Sequence, residues 1–392
     1  MRTGLPVRKT LIAGIKRYAR GQRSLAEKVA AETRALETLR TELARAQALR
    51  NEQEALRQAA DADRDRAAAL TLSIDEQSER TRALRERLRK GVVATHTAEA
   101  NQQHYEVPTD FFRHVLGAKR KYSSCYWPEG ITTLDGAEDA MLELYAERAG
   151  LSDGQRILEL GCGWGSFCLW AAERWPSSEI VAVSNSRTQR AFIEDQAARR
   201  GLENLTVLTA DITTFDPAYL GEPGPYDRIV SIEMLEHVSN HEELFGRIAR
   251  WLAPDGRFFT HIFTGNDVAF AYDANDPRDW MGRYFFSGGL MPSDDWFLHL
   301  QSDLVCVDHW QLSGHHYERT ANAWIDNHHA HRDEILAVLA DDLGGGRSGR
   351  RQAKVWYRRW TAFFMGCAQL WGYRGGRDFG VSHYLFEPRP RP

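Results

Sequence analysis

"RILELGCGWGSFCLW", Arg156 to Trp170, drives an apolar strand straight into Gly161, Gly163 and Gly165. Ile157 and Leu158 read as strand, and the glycines let the backbone turn tightly and lie close against a ligand. In an open α/β sheet, ligands bind at the carboxyl ends of the strands, beside the first strand-to-helix turn. The spacing lacks the G-x-G-x-x-G of a dinucleotide fingerprint, and no Lys-Ser/Thr pair follows as in a P-loop. What sets it apart is Glu159, two residues before the first glycine. A tight strand-to-helix joint with an incidental glutamate would look the same, so the decision rests on the surrounding sequence.

Downstream of Gly91, strand-like runs alternate with helical ones. "QRILELG", "SEIVAVS", "LTVLTAD", "YDRIVSIE" and "GRFFTHIF" each read as a buried strand with helix-like sequence between. That alternation predicts a parallel α/β sheet with crossover helices. "LGGGRSGRR" (Leu343 to Arg351) reads as a mobile loop within the last third.

Upstream the composition is different. From Gln22 to Lys90 there is neither proline nor glycine, and strong helix formers dominate. Leu56, Ala60, Asp63, Ala67, Leu70, Ile74, Gln77, Thr81, Leu84 and Leu88 follow alternating steps of four and three, a heptad seam with polar interruptions. The pattern fits a dimeric coiled coil or a folded-back hairpin; we expect the dimer. Residues 1–21 place Val7, Leu11, Ile12, Ile15 and Tyr18 among basic residues, and no acid precedes Glu27. This suits a peripheral helix on anionic lipid, or a basic helix packed on its own protein.

The 392 residues carry a net charge of −4, which gives no global attraction to nucleic acid. The five cysteines form no CxxC pair, favouring a reducing compartment, and no secretory signal or membrane-spanning run is present. The expected location is therefore cytoplasmic. His328, His329 and His331 lack a carboxylate or cysteine at ligand spacing, so no metal is expected.

The E-x-G-x-G-x-G turn resembles the first motif of S-adenosylmethionine (SAM) dependent methyltransferases. "HYEVPTDFF", "KYSSCYW", "LELGCGWGS", "MLEHV" and "THIF" narrow the likeness to the cyclopropane fatty acid synthase superfamily. Within that superfamily, "AVSNSRTQRAFIEDQ", "DRIVSIEMLEH", "DWMGRYFFSGGLMPS" and "WGYRGGRDFGVSHYLF" resemble the coclaurine N-methyltransferase group. The likeness covers residues 100–388. It implies a Rossmann-like class I methyltransferase sheet and SAM as cofactor; the helical coiled-coil arm expected over residues 22–92 from the heptad pattern lies before it, outside the likeness.

For the cofactor, the resemblance implies Glu159 on the methionine ammonium, with Gly161, Gly163 and Gly165 in the turn and Tyr105, Tyr122 and Ser123 over the methionine end. Ser184 and Asn185, with Gln189 just after, stand where many methyltransferases place an acid on the ribose. Asp211 and Ile212 fall at the adenine. Glu236 and His237 are implied on the substrate side, where a carboxylate and an imidazole suit removal of a proton from an amine. Lipid-cyclopropanating members bind bicarbonate as base, and the likeness would bring Glu236, His261 and Tyr317 to such a site. The family cysteine there is replaced by Ser124, with Cys125 one residue on.

Trp280, Tyr284, Phe285, Phe286, Trp296, Trp310, Tyr317 and Trp324 make an aromatic region able to take an apolar acceptor or an ammonium. Two acceptors stay open at this point: the nitrogen of a small-molecule amine, which Ser124 favours, and an unsaturated acyl chain of a phospholipid. A scaffold built around the heptad arm is disfavoured by the intact glycine turn.

Overall fold

The computed structural model describes residues 74–94, 107–222 and 224–390, together with positions 47 and 54. Residues 1–21, Tyr105 and most of the heptad arm lie outside the described residues. Apart from positions 47 and 54, all the described residues fall in one unit, residues 58–392.

Strand β1 (Arg156–Leu160) is the third strand of a seven-stranded sheet. On one side it pairs in parallel with β2 (Glu179–Ser184), which pairs with β3 (Leu205–Thr209). On the other side come β4 (Tyr226–Ile232) and β5 (Leu252–Gly265), also parallel. A short two-stranded ribbon is made by β6 (Phe270–Ala271) and β7 (Leu290–Met291). The sheet ends on β8 (Leu304–Ser313) and β9 (Phe379–Pro388), giving the order β3-β2-β1-β4-β5-β9-β8. Both β5–β9 and β9–β8 are antiparallel, so the sheet is mixed rather than wholly parallel. "VSHYLFEP" alternates too weakly to reveal that direction, because β9 is buried on both faces along most of its length.

The helices are α1 (Ile74–Leu88), α2 (Thr109–Val115), α3 (Leu134–Ala149), α4 (Ser166–Arg174), α5 (Arg187–Arg200), α6 (His241–Trp251), α7 (Trp280–Tyr284), α8 (Gly314–Ala330), α9 (Arg332–Asp342) and α10 (Gly346–Gly372). Side-chain caps start several of them: Thr133 accepts from the Gly136 amide at α3, and Ser186 from Gln189 at α5.

Strand residues alternate between two apolar layers, as a pleated sheet requires. Ile157, Ile180, Val230 and Phe259 pack with α3, α4, α5 and the C-terminal helices, while Leu158, Val181, Ile229 and Phe258 pack with α6. Leu84 and Leu88 of α1 join this second layer, and Thr81 is buried beside them. The last turns of the heptad seam are thus spent on the chain's own core. Asn240 fastens the end of α1 by donating to the carbonyls of Arg89 and Gly91, each at 2.9 Å.

Leu343–Arg351 is not a loop. Only a tight turn precedes α10, which begins at Gly346. A Cβ on Gly349 would lie 2.6 Å from the Ala340 carbonyl oxygen, so this glycine marks close approach of α10 to α9. His328 is buried against the Tyr357 ring, centroids 4.1 Å apart. Among the described residues no three His, Cys, Asp or Glu side chains converge as a metal site, and no helix is long and apolar enough to cross a membrane.

Candidate active site

The carboxyl ends of β1, β2, β3 and β4 open into a cleft of about 1120 Å3, its mouth included. Gly161 and Gly163 form its floor. Gly161 has φ +81°, and a Cβ there would fall 2.5 Å from Cγ of Met234. Gly165 sits behind the cleft as the residue that opens α4.

Glu159 is 2% exposed, and its Oε2 has no hydrogen-bond partner among the described residues. Burial pushes its carboxyl up to about 8. A carboxyl held this way ionises when a cation is set against it, and the ammonium of an amino-acid group is such a cation. At the β2 end, Ser184 Oγ donates to Gln189 Oε1 at 2.7 Å, leaving Gln189 Nε2 buried without a partner among the described residues and able to donate to a diol. Asn185, Asp211 and Ile212 line the same cleft, with Asp211 Oδ1 accepting from the Thr213 amide at 2.8 Å. Tyr122 and Ser123 close it from above. The residues present therefore fit SAM: an acid for the ammonium, glycines for the backbone approach, and neutral amides for the ribose.

A second cavity of about 690 Å3, its open mouth included, adjoins the first and shares Tyr122, Glu233 and His237 with it. Its walls are apolar and aromatic: Phe263, Tyr272, Phe286, Trp324, Phe363 and Trp371. Tyr317 belongs to this wall, stacked on Trp371 with centroids 4.6 Å apart. Of the other aromatic residues singled out from sequence, Phe285 and Trp296 are core, and Trp310 lies at the far edge of the sheet under Arg148.

Glu233 stands at the junction of the two cavities. Its Oε1 accepts from the Ser124 amide at 2.8 Å and meets His261 Nε2 at 2.9 Å; its Oε2 accepts from the Tyr317 hydroxyl at 2.6 Å. Burial raises its pKa, opposed by the Lys121 ammonium, the Ser124 amide and Tyr317. Lys121 is itself buried, its Nζ donating to Ser123 Oγ and, at 2.6 Å, to the Ser124 carbonyl. His237, enclosed in the interior with an edge on both cavities, is pushed down to about 4 by burial and is neutral at pH 7. It packs on Phe286, centroids 4.6 Å apart.

The carboxylate beside His261 and Tyr317 is therefore Glu233, and the expectation that Glu236 meets them is corrected. Glu236 lines neither cavity. It is fully buried, and its Oε1 accepts from the Phe263 amide at 2.9 Å. The cause is the turn after β4. Leu235–His237 is a 3-10 helix. It turns Glu236 into the protein while Glu233 and His237 both face the cleft. His261 lines neither cavity and adjoins them through its contact with Glu233. The stretch "DRIVSIEMLEH" does contain Glu233, but the adjacent acid and imidazole at its end carry the stronger sequence signal; Lys121, Tyr145 and His383 give none by spacing.

A sheet of this order, with a glycine turn and buried acid at its first strand and a cleft across its carboxyl ends, defines a class I SAM-dependent methyltransferase. The family follows from direct comparison. A model of mycolic acid cyclopropane synthetase matches residues 93–374, and the chain belongs to that family. It is 38% identical to the (S)-coclaurine N-methyltransferase of Thalictrum flavum subsp. glaucum over 304 residues, 77% of this chain and 82% of the relative. The (S)-coclaurine N-methyltransferase of Papaver somniferum is 32% identical over 76% of this chain and 83% of its own length. Among solved structures, coclaurine N-methyltransferase bound to N-methylheliamine and S-adenosylhomocysteine (SAH) superimposes with a TM-score of 0.78 at 34% identity, covering 86% of this chain and 94% of that one.

Proposed function

We propose that the protein transfers the methyl group of SAM to the nitrogen of an apolar, ring-bearing small-molecule amine held in the aromatic cavity. The observation that carries this reading is Glu233. The hydroxyl of Tyr317 and the imidazole of His261, which a lipid-cyclopropanating relative would offer to bicarbonate, are here taken by a carboxylate of the chain itself. The similarity to coclaurine N-methyltransferases supports the same acceptor class.

When bound, the cofactor supplies the methyl group on a sulfonium. An amine is protonated in neutral water and has no lone pair to give until that proton leaves. Glu233 accepts it; a buried carboxyl with a raised proton affinity is matched to that task. The freed nitrogen pair then forms the N–C bond, and the electrons of the breaking S–C bond stay on sulfur. His237 and Tyr122, at the junction, orient the nitrogen between the cavities. Phe286 and Trp371 exclude water and face the positive charge that arrives on nitrogen.

The test is to give the purified protein methyl-labelled SAM with heliamine in one vessel and unsaturated phospholipid vesicles in another. Label in N-methylated amine is expected. Label in the extracted lipid, with none in amine, would overturn the reading.

A further inference from the structure

We infer that Arg148 and His383 are positioning residues for Glu233: acting through His261, they fix a one-way row of hydrogen-bond donors that presents Glu233 as an acceptor. The row runs across the sheet. His261 on β5 and His383 on β9 are direct register partners, and Trp310 on β8 is the next in line. Helix α3 covers them and contributes Tyr145 and Arg148. The Arg148 guanidinium lies 4.9 Å over the Trp310 ring, and its Nη1 is 2.7 Å from His383 Nδ1.

A guanidinium has donors and no acceptor, so His383 Nδ1 carries no hydrogen. The neutral ring then holds its hydrogen on Nε2, which lies 3.0 Å from His261 Nδ1. That nitrogen must accept, and it also receives the Tyr145 hydroxyl at 2.8 Å. The hydrogen of His261 is thereby placed on Nε2, 2.9 Å from Glu233 Oε1. Each tautomer is dictated by the one before it, starting from a permanent cation. Both rings are fully buried, and burial holds both well below the usual imidazole range, so neither carries the second hydrogen that would break the order.

With the cation gone, nothing holds His383 Nδ1 bare, and uptake of one proton from solvent opens the opposite order, in which Tyr145 accepts from His261 Nδ1. Glu233 would then hold a proton and donate to His261, and the carboxyl could no longer take one from an amine. The other groups facing Glu233 do not hang on Arg148. They are the Ser124 amide, Lys121 and Cys125 from the segment before α3, Tyr145 from α3, Tyr317 from α8, and Glu236 and His237 from the turn after β4.

The kinetic part of the test rests on the amine-methylation reading; the spectroscopic part does not. In full-length protein labelled with 15N-histidine, the ring nitrogens report each tautomer, with His261→Gln and His383→Gln spectra giving the assignments. Both rings are expected as Nε2–H with bare Nδ1. A wild-type spectrum showing Nδ1–H on either ring overturns the inference, whatever the enzyme methylates. In Arg148→Met the ordered pair of signals should be lost, and in Arg148→Lys, which still offers donors only, it should persist. With heliamine as substrate, the acid limb of kcat/KM should move up by about one pH unit in Arg148→Met and stay in place in Arg148→Lys. SAH affinity, read by calorimetry, should change less than about twofold. A tautomer change with an unmoved acid limb overturns the link to Glu233. Correct tautomers with no amine methylation would sink the proposed function and leave this row standing.

Discussion

Glu159 should make the binding of SAM or SAH a proton-release event. In the free protein its carboxyl is buried and titrates at about 8, so it is mostly protonated at pH 7. Pairing with the amino-acid ammonium of the cofactor requires the ionised form. The dissociation constant then carries a factor of one plus ten to the power (8 − pH), which is about 11 at pH 7 and about 100 at pH 6. At pH 7 the cost of ionisation is about 1.4 kcal/mol. SAH, which keeps the ammonium, should therefore bind roughly ninefold tighter at pH 7 than at pH 6. The window stops near pH 7 because the ligand's own amino group begins to lose its proton above that.

Calorimetry in two buffers of different ionisation enthalpy reads the protons directly, and about one should leave per SAH bound at pH 6.5. Glu159→Gln should abolish both the release and the pH dependence, and bind SAH more weakly at pH 7. The stability of the free protein follows the same sign. The folded pKa lies above the ordinary 4.5, so the contribution of Glu159 is full below about 4.5 and is lost as pH rises through about 8. The melting temperature of the wild type should fall relative to Glu159→Gln across that interval, and saturating SAH should cancel the fall. Wild-type protein that binds SAH with no proton release and a flat affinity between pH 6 and 7 would mean that Glu159 is already ionised before the ligand arrives, and the linkage would be wrong.

Replacing Glu233 by Gln should lower kcat at least about 100-fold while SAH affinity stays within a few-fold. Glu236→Ala should instead lower stability by about 1–3 kcal/mol, by stranding the Phe263 amide, with a smaller loss of turnover. Thermal melts and kcat separate the two, and equal turnover losses would return Glu236 to the chemistry. Gly161→Ala forces a side chain at φ +81° against Met234, and about 1–3 kcal/mol of stability should be lost together with SAH binding; unchanged binding would show the turn is not cofactor floor. Trp371→Ala should raise KM for an aromatic amine about tenfold with SAH affinity unaltered, in keeping with ~1–2 kcal/mol of lost cation–π and packing contact. An unchanged KM would place the acceptor outside this cavity.

The first five strands could be read from sequence because each is a dense apolar run ending in turn residues, and the run alone is enough to bury it. The antiparallel edge could not. β8 and β9 are separated by three helices, and nothing local in "VSHYLFEP" specifies which neighbour it pairs with or in which direction. The cleft at the carboxyl ends was legible for a similar reason: Glu159, Gly161, Asn185 and Asp211 lie at or just past strand ends, with Gln189 in the first turn of the helix after β2, and topology brings strand ends together. The base was not. Glu233 and Glu236 are three residues apart in one motif, and a single 3-10 turn decides which faces the cleft. His383 and Arg148 join the site only through sheet register and helix packing, which leave no trace in spacing. The heptad seam is legible as apolar rhythm, but rhythm does not name its partner, and Leu84 and Leu88 find theirs in the chain's own core.

Glu233 also explains an otherwise costly piece of backbone. It has φ +44°, the left-handed region, where a non-glycine residue costs about 1–3 kcal/mol and persists only when its surroundings hold it. Its amide still donates to the His261 carbonyl at 2.9 Å, so the β4–β5 pairing continues up to this residue and breaks off with it. The left-handed step turns the carboxylate among the Ser124 amide, the His261 ring and the Tyr317 hydroxyl. A glycine here would relieve the strain but leave those three donors facing no acceptor, and buried donors without partners cost about 1–3 kcal/mol each. The sum favours the strained glutamate, provided all three donors are aimed at it. Two are set by β5 and α8, and the third by the segment carrying Ser124. Strain in the turn and order in the donors are thus one arrangement, and it holds the Glu233 carboxyl at the mouth of an aromatic cavity.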